Sequence, residues 1–188
     1  MSFNPRRLRR VNELRALSHP LRLDILEELT LNGPMTASDL GARLDETPAN
    51  CSWHLRKLAE HGFVEETGEG VGRRRPWRVT RVGLTWDEDE DAAAPPGYRA
   101  ASRALSARLV DRAVARWRRN TETAERNWVH DLGVAQATVL VTEDEAKAFV
   151  TDLHELLRRH YDRLAGAEPV PDGARALRVL VLTSVDPR

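Results

Sequence analysis

The stretch "TASDLGARLDETPANCSWHLRKLAEHGFVEE" (36–66) contains two short helical patterns on either side of a tight turn. Thr36 is a capping residue with Asp39 three positions on, and Ala37, Leu40 and Leu44 form one apolar side. Asp45 tolerates the left-handed conformation that such a turn often needs. Thr47 then caps another helix, with Pro48 in its first turn, running to about Glu60. On a 100° wheel Cys51, Leu55 and Leu58 fall within about 60° of one another, so they mark an inner face. Ala49, Trp53, Arg56 and Glu60 lie opposite, flanked by Ser52 on one side and Asn50 and Lys57 on the other. Cys51 is the chain's single cysteine. A lone thiol beside Trp53 suggests a redox or metal sensor, but the wheel turns it inward, where free cysteine packs as a small hydrophobe.

Upstream, "RRLRRVNELRAL" (6–17) repeats apolar residues at Leu8, Val11, Leu14 and Leu17, a helical spacing. "SHPLRLDILEEL" offers Ser18 or His19 as N-cap and Pro20 as first helical residue, with Leu21, Ile25, Leu26 and Leu29 inward. Downstream of His61 and Gly62 the pattern turns β-like. "FVEET" and "RPWRVT" are short runs joined by "GEGVGRR", whose glycines suit a hairpin tip. Helices separated by a tight turn and followed by a hairpin make a winged helix-turn-helix. The fold class expected is mainly α with small β.

The 188 residues carry 29 basic and 29 acidic side chains, so net charge names no partner. One cysteine excludes an intramolecular disulfide framework and a one-chain thiolate zinc cage. No apolar run approaches the ~20 residues of a membrane span, and a cytoplasmic protein is expected. "WDEDEDAAAPPG" (86–97) reads as an acidic linker between a DNA-binding domain (1–85) and a helical dimerisation or effector-sensing region (98–188). That second region offers a long helix from Tyr98, with a stripe of Leu105, Leu109, Val110, Val114 and Trp117 expected to pack across a dimer. Its arginines form a solvated face or pair with the linker. It also offers a helix opened by Thr142 and Glu145, and short strands at "QATVLVT" (136–142) and "ALRVLVLTSV" (176–185).

Major-groove readout needs hydrogen-bonding side chains on the first turns of a helix. Thr47, Asn50, Ser52 and Arg56 supply hydroxyl, amide and guanidinium groups there, and Trp53 packs on a thymine methyl, along the sugar-phosphate wall, or against the wing or a partner subunit. Arg73, Arg74 and Arg75 follow the wing glycines and suit phosphate contacts, or else solubilise a loop. Arg6, Arg7, Arg9 and Arg10 either reach phosphates or sit on a helix that pairs subunits.

"LSHPLRLDILEEL", the stretch 36–66 and "GRRRPWRVT" closely resemble the ArsR-like winged-helix regulators of bacteria, over about residues 12–82. The most specific marks are the opening Leu17 to Arg22 and the run Ser52 to Leu58. The resemblance implies that the helix with Ser52 and His54 enters the major groove while the wing touches backbone or minor groove. It implicates Thr47, Asn50, Ser52, Trp53 and Arg56, and makes His54 a semi-buried structural histidine. Metal-responsive members carry a Cys-x-Cys pair on the preceding helix, where this chain has "TASDLGARL". A second family metal site finds only a partial echo in Asp152, His154 and His160, with Arg163 where a further ligand is wanted. No metal, cofactor or catalytic constellation is expected. Trp117, Trp128, Phe149 and Tyr161 line a small-molecule effector pocket or are ordinary core. The sequence therefore points to a homodimeric repressor binding double-stranded operator DNA. The alternative is a winged-helix protein-interaction module without base readout.

Overall fold

Leu14, Leu17, Leu21, Ile25, Leu29, Leu40, Leu55 and Leu58 share one buried cluster, and its geometry sets everything outside it. The computed structural model describes residues 5–69, 75–86, 94–123, 137–164 and 168–184. Four helices carry these residues: α1 (Val11–Leu17), α2 (Pro20–Asn32), α3 (Ala37–Leu44) and α4 (Pro48–Glu60). Each start has a local cause. His19 Nδ1 accepts from the Leu21 N–H ahead of Pro20. Thr36 and Asp39 form a reciprocal capping box, and Thr47 Oγ1 accepts from the Asn50 N–H. Between α3 and α4 Asp45 is left-handed, at φ 54° and ψ 47°, and the Glu46 N–H closes the turn onto the Gly41 carbonyl at 2.9 Å.

The wing is an antiparallel pair, with β2 (Val64–Glu66) on β3 (Trp77–Val79) in the register Val64↔Val79, Glu65↔Arg78 and Glu66↔Trp77. Met35, just before α3, adds a bridge to Trp77 through two backbone hydrogen bonds. This ties the wing to the connection between α2 and α3.

The N-terminal segment departs from the helix expected over 6–17. Arg6 and Arg7 form β1, which runs parallel to β4 (Leu84–Thr85), and helix begins only at Val11. The cause is Arg6. Its guanidinium donates to the His61 and Gly62 carbonyls at 2.6 Å and to Glu13 at 2.7 Å, and lies 4.4 Å from the Phe63 ring centroid. A cation held by the carbonyls of the C-cap His61 and of Gly62 ties the N-terminal segment to the turn that follows α4. Arg6 is thus a structural clamp rather than a phosphate contact.

The long helix α5 (Tyr98–Thr123) starts where expected but finds its partner within the chain. Tyr98 and Leu105 are buried in the same cluster as α1–α4, and the Tyr98 hydroxyl donates to the Leu8 carbonyl at 2.7 Å. Trp86 Nε1 donates to Ser106 Oγ, and the Arg108 guanidinium to the Ser18 carbonyl. The arginines of α5 have specific acceptors on α2. Arg112 pairs with Asp24 and Glu27, and Arg116 with Glu27. Arg178, in the C-terminal stretch, also reaches Glu27 at 2.6 Å.

The helix α6 (Glu143–Leu164) opens on the Thr142–Glu145 capping box read in the sequence. Neither apolar run beside it becomes a strand over its described residues. Both lack regular secondary structure and a ladder partner over those residues, leaving Val139 67%, Leu140 100%, Leu177 67% and Leu182 69% exposed. High β propensity makes a strand only where a second strand supplies the hydrogen bonds. Trp117 and Phe149 are also open to solvent, and Trp128 lies outside the described residues.

Candidate nucleic-acid interface

Helix α4 divides its side chains as its periodicity requires. Cys51, His54, Leu55 and Leu58 are buried, while Trp53 and Arg56 stand outside. The thiol is fully buried, and desolvation with the nearby Glu46 charge raises its pKa, which holds it as the unreactive thiol. Among the described residues no group of three or more His, Cys, Asp or Glu is placed to hold a metal ion.

The outer face is a contiguous polar surface with one aromatic. Thr47 caps the helix, its hydroxyl oxygen accepting from the Asn50 N–H at 3.2 Å. Asn50 Nδ2 donates to Glu46 Oε2 at 2.8 Å, which orients the amide; its carbonyl oxygen accepts no hydrogen bond among the described residues. Ser52 is half-buried and Arg56 exposed, and Arg56 makes no hydrogen bond or ion pair among the described residues. Trp53 is 46% exposed and stands edge-on to His54 at 4.7 Å, with the Lys57 ammonium 5.9 Å from its ring centroid. Lys57 itself is paired to Glu60 at 3.0 Å. Residue patterning alone missed Glu46. Its signal was an acid four positions before Asn50, spanning the cap.

On the wing, Trp77 and Val79 face inward and Arg78 outward, as the alternation predicts. Arg78 pairs with Glu65, directly across the hairpin, at 2.8 Å, and Arg75, two residues before Glu66's partner Trp77, pairs with Glu66 at 3.2 Å. Both pairs are exposed, so they contribute little to stability and can exchange a carboxylate for a phosphate. Arg73 and Arg74 lie outside the described residues.

His54 ties this surface to the core. It is 3% exposed, its ring centroid lies 4.4 Å from that of His19, and its Nδ1 is buried without a hydrogen-bond partner among the described residues. Burial pushes its pKa below the ordinary 6.5, helped by the charges of His19 and Arg22 and opposed by Glu46. A histidine depressed in the folded state binds fewer protons there than when unfolded. Stability should therefore decline as pH falls below about 6.5. Urea midpoints measured between pH 7.5 and 5.5 should fall for the native chain and flatten for His54→Leu. Equal slopes in both chains would show that His54 is not the group responsible.

Residues 17–67 match the family model for a helix-turn-helix domain, covering α2, α3, α4 and the first wing strand. The fold class is thus the winged helix-turn-helix. A search of the curated proteins finds no match. Among solved structures, the chain is similar to transcriptional regulator Tm0710 from Thermotoga maritima, at 12% identity and TM-score 0.32, covering 79% of this chain and 85% of that one. It is also similar to NMB1585, a MarR family regulator from Neisseria meningitidis, at 14% identity and TM-score 0.35, covering 80% and 81%. Likeness at that level says nothing about what this chain binds.

Proposed function

We propose that the protein is a sequence-specific, DNA-binding transcriptional regulator of the ArsR-like kind, acting in the bacterial cytoplasm as a homodimeric repressor. Residues 1–85 bind the operator. Residues 98–188 dimerise and respond to a small effector. The observation that carries this reading is the division of α4: a sealed apolar side behind, and Thr47, Asn50, Ser52, Trp53 and Arg56 together in front. A helix end rich in N–H groups and hydrogen-bonding side chains suits a groove lined with base edges and phosphates. Arg73, Arg74 and Arg75 on the wing supply charge without sequence information.

The two kinds of contact separate in a titration against duplex pools. Asn50→Ala or Arg56→Ala should relax preference at particular base pairs, by about 1–3 kcal/mol for a lost bidentate contact. The pair Arg74→Ala with Arg75→Ala should weaken binding on every sequence and reduce the salt slope by about 2, near 0.9 per phosphate contact. If none of these changes alters binding, the assignment fails.

A second reading is favoured by Trp53. An indole this open, beside a lysine, also suits a protein partner, since aromatic and basic anchors dominate such interfaces. Under that reading no duplex binds with salt-dependent affinity.

A further inference from the structure

The start of α2 and the middle of α4 gather three basic side chains with no paired carboxylate among the described residues. His19 and Arg22 stand three positions apart, on one face of α2, and the His19 ring lies 4.4 Å from that of His54. The charges of His19 and Arg22 both bear on His54, which is 3% exposed. Unfilled hydrogen-bonding positions collect at the same place. Arg22 Nε and His54 Nδ1 are buried without a partner among the described residues, and the Arg22 guanidinium reaches the Arg15 carbonyl, at the end of α1, only at 3.3 Å. His19 Nδ1 accepts the Leu21 N–H, so the proton of its neutral ring sits on Nε2, which has no acceptor among the described residues.

Other arginines of the chain are placed differently. Arg112 is also partly buried, but Glu27 and Asp24 bond to it and raise its pKa, whereas burial lowers that of Arg22 with no acid to oppose it. A half-buried cation without a counter-charge costs stability, and an anion from outside would remove that cost. The side it faces is set by α4. On the helical wheel His54 lies about 40° from Asn50 and about 60° from Lys57, and it stands edge-on to the exposed Trp53 at 4.7 Å. The cluster therefore continues the polar face of α4 along the flank away from Ser52.

We infer that His19 Nε2–H and the Arg22 guanidinium grip one phosphodiester of bound duplex, with His54 behind them taking up a proton as the phosphate arrives. This rests on the DNA reading above and adds a contact from α2 to those of α4 and the wing. Guanidinium and imidazole N–H groups suit phosphate oxygens, and the α2 start adds the positive end of its dipole, although the cap already uses the Leu21 and Arg22 N–H groups. In the free chain His19 and Arg22 disfavour a charge on His54. A phosphate beside them reverses that field, so the complex favours the imidazolium. The proton goes to His54, because protonating His19 Nδ1 would break the α2 cap. Glu46, on the turn before α4, acts in the same sense, but its carboxylate already accepts from Asn50, and Lys57 is paired with Glu60. A group that binds its proton more tightly in the complex makes association tighten as pH falls.

Titration of the full chain against a mixed-sequence duplex pool tests the contact. Arg22→Met keeps the aliphatic packing and removes the unbalanced charge. It should be at least as stable as the native chain, yet bind every sequence roughly 10-fold more weakly, with a salt slope smaller by about 0.9. His19→Asn keeps a capping acceptor and loses the Nε2 donor, so binding should weaken roughly 3-fold at unchanged stability; it decides the matter where Arg22→Met fails to fold. From about pH 7.5 to about pH 6 the native Kd should fall roughly 3-fold, and His54→Gln should remove that dependence. Inorganic phosphate, against chloride at equal ionic strength, should raise the Tm of the native chain more than that of Arg22→Met.

An Arg22→Met chain that loses stability but binds duplex as before would make Arg22 a cap for α1 and overturn the proposal, leaving the DNA reading intact. Native pH dependence retained in His54→Gln would overturn the proton step. Phosphate stabilising a native chain that binds no duplex would overturn the DNA reading and the duplex as source, and leave the cluster to a free phosphate ester.

Discussion

A chain carrying Gly41→Val should lose about 2–3 kcal/mol of stability and, with it, the fixed angle between α3 and α4. Gly41 sits inside α3 where α4 begins its approach. A Cβ there would lie 2.7 Å from the Glu46 carbonyl oxygen and 3.3 Å from the Pro48 nitrogen. Both are backbone atoms, so no flexible side chain can swing aside. The same Gly41 accepts the Glu46 N–H that closes the turn, so pushing Glu46 away also lengthens that bond. Alanine or valine in a helix is intrinsically better than glycine, by up to ~1 kcal/mol, and this offsets part of the collision. Denaturant unfolding of the native, Gly41→Ala and Gly41→Val chains should therefore show a graded loss. If Gly41→Ala is as stable as the native chain or more so, the close approach of the two helices is wrong. The functional consequence concerns position. A turn displaced by a few tenths of an ångström re-aims Asn50 and Arg56, so base preference should degrade before overall affinity does.

The second large effect is expected at Glu27. Burial alone would raise the pKa of this carboxyl, but hydrogen bonds from Arg116, Arg178 and Arg112 outweigh it and hold the pKa at about 2 rather than the ordinary 4.5. The depression means that the folded chain holds the charged form more tightly than the unfolded one. The stabilisation is full above about pH 4.5 and is lost progressively as pH falls toward 2. A shift of this size corresponds to a ceiling of roughly 3 kcal/mol. The side chain keeps 22% of its surface in water, so screening brings the expected value to about 1–3 kcal/mol. Glu27→Gln should remove that stability at pH 7 and weaken the pH dependence between about 4.5 and 2. It also leaves Arg112 and Arg116 with too few acceptors, and those guanidiniums are only about a fifth exposed. A melting temperature unchanged by Glu27→Gln at low salt would show that the cluster is decorative.

Local chemistry was the legible part of this fold. The caps at Thr36, Thr47 and Thr142 each need only a residue and its neighbour three positions on, so short windows suffice. The burial of Cys51, Leu55 and Leu58, and the exposure of Trp53 and Arg56, follow from a single helical period. Long-range pairings were not legible. Arg6 and Arg7 lie in what reads as a helical repeat, because nothing nearby announces that Leu84 and Thr85 will pair with them. The apolar runs at 136–142 and 176–185 fail in the opposite way. Their composition is that of strands, yet a ladder depends on a neighbour that composition does not encode. The stripe on α5 correctly signalled a need for cover, but periodicity cannot say whether the cover comes from α1 or another subunit. Within the candidate interface, the face of α4 could be read, while the Glu46 carboxylate that orients Asn50 could not.

The way α5 is fastened has a mechanical outcome. Tyr98 is pinned to Leu8, Arg108 to Ser18, and Arg112 and Arg116 to the acids of α2, at intervals of one to three turns along a single rod. A torque applied at the rod's distal end therefore has no slack to dissipate in. It reaches the scaffold beneath the recognition surface as a rigid rotation, with Glu27 as the rivet at which such a lever would first shear.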